Sequence, residues 1–85
     1  MTDKDIEEGI NYFKEGDYDK SKEIFYDKYQ VDKENPLVNK FIALILINEK
    51  DQNNAWMFAT KALENNPEDK ENWIILAQAF LKDNK

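Results

Sequence analysis

Few residues of this chain have the types and spacing that chemistry needs. The hydroxyls are Thr2, Ser21, Thr60 and the tyrosines, and no histidine or cysteine is present. A serine nucleophile needs an activating base, and without histidine Ser21 has none in view. The missing cysteines also exclude a disulfide framework and a thiolate zinc site. Two carboxylate pairs, Glu7-Glu8 and Glu68-Asp69, have the spacing of an acid/base couple. Both fall at helix starts, where acidic side chains complement the positive end of the helix dipole. Asp17-x-Asp19-x-Ser21 opens like a calcium loop, but the sixth and twelfth positions are Lys22 and Lys28. A calcium loop needs glycine and a bidentate glutamate there, so helix entry and capping is the better reading. No catalytic residue, cofactor or metal ligand is expected, and the chain reads as a non-enzyme.

Composition narrows the remaining classes. Eighty-five residues allow one domain, and 41% hydrophobic with 13% aromatic residues is enough for a core. A net charge of −6, with lysine as the only cation, makes a poor nucleic-acid binder. The charged start Met1-Thr2-Asp3-Lys4-Asp5 lacks the apolar stretch of a signal peptide. The longest apolar run, Phe41 to Ile47, is far below the roughly 20 residues of a membrane span. A cytoplasmic protein with no membrane or nucleic-acid partner is expected.

The elements follow from apolar periodicity and its punctuation. A first helix is predicted from about Asp3 to Lys14, capped by Thr2 or Asp3, with Ile6, Ile10 and Phe13 on one face and Gly16 as a left-handed cap. A second runs from about Tyr18 to Val31, entered through Asp17. Lys33-Glu34-Asn35 forms a polar turn, and Pro36 suits the first turn of a third helix reaching about Asn48. Its centre, Phe41-Ile42-Ala43-Leu44-Ile45-Leu46-Ile47, is apolar nearly all round and is expected to be buried on several sides. By periodicity alone that run also fits a buried strand, but its length and its helical neighbours favour a helix. A fourth helix spans about Asn53 to Asn65. Pro67 prevents its continuation, and Glu68 or Asp69 caps a fifth that runs to about Lys82.

The chain also matches itself at a shift of 34 residues, the period of a helix–turn–helix repeat. Gly9 meets Ala43 and Ala77; Tyr12 meets Leu46 and Phe80; Ser21 meets Ala55; Tyr29 meets Leu63; Lys33 meets Pro67. Gly9-x-x-Tyr12-x-x-x-Gly16-Asp17-Tyr18-x-x-Ser21-x-x-x-Phe25 resembles the first hairpin of a tetratricopeptide repeat. Ala55-x-x-x-Ala59-x-x-Ala62-Leu63-x-x-x-Pro67 resembles the second helix of the next, and Trp73-x-x-Leu76-Ala77-x-x-Phe80 the first helix of a third. The pattern departs at Lys28, Lys33, Lys50 and Ala59. The resemblance implies one all-α domain over 1–85, a right-handed solenoid of five helices in antiparallel hairpins. Its repeats would cover about 2–35, 36–69 and a partial 70–85. Stacked hairpins bury the faces that a single hairpin leaves open.

The resemblance further implies a protein–protein interaction scaffold or adaptor that takes a protein or peptide partner. Many members hold chaperone C-terminal carboxylates with lysine and asparagine. The matching slots here are Ile6, Ile10, Phe41, Glu71 and Ile75, so no such clamp is expected. The concave groove would instead comprise Ile6, Ile10, Phe13, Leu37, Phe41, Leu44, Ile74 and Ile75, with Lys40, Asn48 and Gln78 among them. Such a groove suits an apolar or amphipathic-helix segment, although these residues also suit ordinary core. Phe41→Glu is expected to abolish binding without loss of helicity. The chain reaches Asp83-Asn84-Lys85 where a partner for the fifth helix would begin. Trp73, Ile74, Ala77, Phe80 and Leu81 are therefore expected to form a face for self-association as a homodimer, the alternative reading.

Overall fold

Four of the five helices begin where a short polar side chain accepts the first free backbone N–H groups. Asp17 accepts from Lys20 N, Asn35 from Leu37 N and Val38 N, Asp51 from Asn54 N, and Asp69 from Glu71 N. The structure, a computed structural model, describes residues 4–83. It comprises α1 (Lys4–Lys14), α2 (Tyr18–Val31), α3 (Pro36–Asn48), α4 (Gln52–Asn65) and α5 (Lys70–Asp83). No strand occurs among the described residues, so Phe41–Ile47 is helical. The N-cap expected at Thr2 or Asp3 lies outside the described residues. Helix α4 starts one residue earlier than expected because Asp51 is its cap.

Two of the helix ends close alike. After α1, Gly16 has φ 85°, and the N–H groups of Gly16 and Asp17 donate to Phe13 O and Tyr12 O. After α3, Lys50 has φ 67°, and the N–H groups of Lys50 and Asp51 donate to Ile47 O and Leu46 O. Both are Schellman closures. The following aspartate then caps the next helix, which turns the chain back on itself.

Helix α3 is the centre of the fold and packs against all four others. Its apolar circumference requires this, and Val38, Ile42, Ala43 and Ile45 are fully buried. The remaining packing joins α1 to α2 and α4 to α5. Helices α1 and α2 approach closely at Gly9. A Cβ there would lie 2.8 Å from the Phe25 ring, and the buried Ser21 hydroxyl donates to Gly9 O at 2.7 Å. Side chains alone bridge α2 to α4, with Tyr29 edge-on to Phe58 at 5.1 Å and Lys61 Nζ donating to the Tyr29 hydroxyl at 3.0 Å. No helix among the described residues is long and apolar enough to cross a membrane.

Candidate functional site

Two apolar surfaces come from the residues singled out above. The first follows α1, α3 and the start of α5. Leu37, Phe41, Leu44 and Asn48 share one stripe of α3, opposite the stripe buried in the core. Their exposure is uneven. Leu37 at 43% and Ile74 at 56% stand in solvent, whereas Ile10, Phe13, Phe41 and Leu44 are partly buried against the core. Ile6 and Ile75 are core residues, 7% and 4% exposed, so they offer a ligand almost nothing. The reason for Ile75 is its direction on α5: it points at the bundle, while its neighbour Ile74, about 100° round the helix, points away.

Phe41 is part of an aromatic cluster. Its ring stacks on Phe25 at 5.3 Å with a 4° interplanar angle, and Phe13 meets it edge-on at 5.4 Å. Phe13 also meets Tyr18 edge-on at 5.2 Å. A glutamate in place of Phe41 would set a carboxylate against the buried Phe25 ring. The expectation that Phe41→Glu spares the fold is therefore corrected: this residue supports the core as well as lining the surface. Leu37 carries no such double duty.

The cation of this surface is already neutralised. Lys40, 9% exposed, donates to Asp69 Oδ2 at 3.1 Å and to Glu71 Oε1, tying α3 to α5. Burial lowers the Lys40 pKa, but the hydrogen bonds to Glu71 and Asp69 outweigh it and the net shift is upward. The hydrogen bond from Lys40 holds the Asp69 carboxyl below its ordinary value. Glu71 is thus an ion-pair partner of Lys40.

The second surface is the outer side of α5 with the adjoining edge of α4. Trp73, Ile74, Phe80 and Leu81 are 57%, 56%, 54% and 63% exposed, and Ala77 is exposed between them. Trp73, Leu76, Ala77, Phe80 and Leu81 line a shallow depression together with Trp56 of α4. The Trp56 and Phe80 rings lie 5.8 Å apart. Trp56 was not among the residues expected here. Its signal is legible in retrospect: the core stripe of α4 is Ala55, Phe58, Ala59 and Ala62, which leaves a tryptophan on the wet side. Trp73 is held in place by its indole N–H, which donates to Pro67 O at 3.3 Å.

Three of the polar groups with catalytic spacing have structural occupations. Asp17 caps α2, Ser21 is buried on Gly9 O, and Asp69 both caps α5 and pairs with Lys40. Among the described residues no cluster of three or more Asp or Glu is arranged to hold a metal ion. No protein-family model matches this chain, and no curated protein matches it in sequence.

Proposed function

We propose that this chain is a tetratricopeptide-like, right-handed solenoid of about two and a half repeats that serves as a non-enzymatic protein–protein interaction scaffold in the cytoplasm. Its ligand is an apolar or amphipathic-helix segment laid along α1, α3 and α5. The carrying observation is that stripe of partly open apolar side chains, running from Ile10 and Phe13 through Leu37, Phe41 and Leu44 to Ile74, whose buried lysine is already paired. Recurrence at 34 residues supports the repeat reading. Gly16 and Lys50 adopt the same left-handed turn, and Asp17 and Asp51 cap in the same way. Asn39 Nδ2 donates to Lys33 O at 3.0 Å as Trp73 Nε1 donates to Pro67 O. The first of each helix pair touches the first of the next, α1 with α3 and α3 with α5.

The test is selection of amphipathic helical peptides on the wild-type chain, followed by titration against Leu37→Glu. Leu37 is exposed, so the variant keeps the fold while placing a charge on the apolar stripe. Affinity should fall roughly tenfold or more, the scale of a central interface residue. An unchanged affinity removes the ligand from this surface. Acidic chaperone-type C-terminal peptides should not bind, and micromolar affinity for one would overturn that part. A second reading, self-association through α5, is favoured by the exposure of Trp73, Phe80 and Leu81.

A further inference from the structure

The exposed stripe of α5 has an internal symmetry. Ala77 lies at its centre, with Ile74 and Phe80 three residues to either side and Trp73 and Leu81 four residues to either side. Three and four are the helical spacings that return to one face. Reversing the helix about Ala77 therefore exchanges large apolar residues with large apolar residues. A stripe of this kind is complementary to its own antiparallel copy.

The same positions show what they accept when a helix covers them. Thirty-four residues earlier, α3 carries Asn39, Ala43, Leu46 and Ile47 where α5 carries Trp73, Ala77, Phe80 and Leu81. The α3 set is buried, at 0%, 0%, 2% and 7%, and α4 packs on α3. On α5 the set is open. Small Ala77 lets a second helix axis approach to about 8–10 Å.

We propose that a second copy of this chain covers that stripe, as an isologous dimer in which two α5 helices cross antiparallel with the two-fold axis at Ala77. Trp73 of each copy then meets Leu81 of the other, and Ile74 meets Phe80. The inference deepens the self-association reading and shares Ile74, but not Leu37, with the ligand surface. The area suffices. With aromatic side chains of about 150–250 Å² each, the exposed fractions of Trp56, Trp73, Ile74, Phe80 and Leu81 amount to on the order of 600 Å² per copy. Complete cover of both copies would remove roughly 1,200 Å², the lower bound of standard specific interfaces. Each copy carries −6, so pairing works against repulsion and strengthens as salt screens it.

Light scattering over a concentration series, at low and high salt, tests the pairing on wild type, Trp73→Glu and Leu37→Glu. Wild type and Leu37→Glu should reach twice the chain mass, at lower concentration in high salt. Trp73→Glu should stay monomeric with its helical circular dichroism intact. The axis is tested by cysteine substitution in a chain that has none. Ala77→Cys should oxidise to a disulfide dimer roughly tenfold or more faster than Glu8→Cys on exposed α1, because pairing makes the encounter intramolecular. A monomeric wild type at every concentration and salt overturns the proposal. So does a dimer that survives Trp73→Glu or is broken by Leu37→Glu, or an Ala77→Cys rate no greater than the Glu8→Cys control. A monomer that binds a helical peptide through Trp73 assigns the stripe to a foreign helix instead, which also overturns it. Failure here leaves the Leu37 titration standing, so the two readings fall separately.

Discussion

Two backbone positions, Gly16 and Lys50, perform one task with different residues. Both lie in the left-handed region, at φ 85° and 67°, and both close a helix through the same pair of hydrogen bonds. Glycine is at ease there, whereas a residue with a Cβ is strained by roughly 1–2 kcal/mol. Glycine's freer unfolded chain returns about 0.4–1 kcal/mol of that difference. Lys50→Gly should therefore stabilise the fold by about 0.5–1 kcal/mol, read as a higher urea midpoint at constant slope. Gly9 sets the opposite case. Alanine there gains about 1 kcal/mol of helix propensity, but its Cβ would sit 2.8 Å from Phe25, a ring with no exposure that stacks on Phe41. Overpacking a fixed site costs about 1–3 kcal/mol, so Gly9→Ala should lower the midpoint despite better propensity.

Among the elements, α5 shows much of its circumference to solvent and is tied at its first turn. Lys40 ties its first turn to α3 through Asp69 and Glu71. Asp69 titrates below its ordinary 3.8 because Lys40 donates to it, so the unfolded chain takes up the proton more readily. The stabilising contribution is then fully present above pH 3.8 and is lost as the pH falls through the folded-state value. Lys40 titrates above 10.5, so its contribution is present below pH 10.5 and is lost as the pH rises through its folded value. Asp69→Asn should lower stability at neutral pH and flatten the acid limb of the stability profile. A limb of unchanged steepness in thermal melts across the acid range would remove Asp69 as its source.

The whole molecule is compact for its length and strongly acidic. A radius of gyration of 12.0 Å is about that of a folded domain of this size. A charge of −6 on such a body opposes compactness through self-repulsion. Added sodium chloride should raise the melting temperature, because exposed like charges are screened while the pairs of the mostly buried Lys40 ammonium are screened less. The measurement belongs on Trp73→Glu, so that dimer formation does not contribute. A melting temperature that falls with salt would mean that attractive surface pairs outweigh the net repulsion.

Sequence alone determined what depends on neighbours within a turn or two. The spans Tyr18–Val31 and Pro36–Asn48 were legible to the residue, because Asp17 and Pro36 start helices through local geometry. The left-handed Gly16 and the encirclement of α3 were legible for the same kind of reason: a missing Cβ and a missing polar face leave little choice. The tertiary structure decided which side chains remain open. Ile74 and Ile75 are adjacent and chemically alike, yet one is 56% exposed and the other 4%. Lys40 finds its carboxylates 29 and 31 residues away, and Trp56 finds Phe80 across two helices. Phe41 stacks on Phe25 because α2 and α3 meet there. Periodicity marks a face as apolar, but only the packing of distant helices determines whether that face is core or surface.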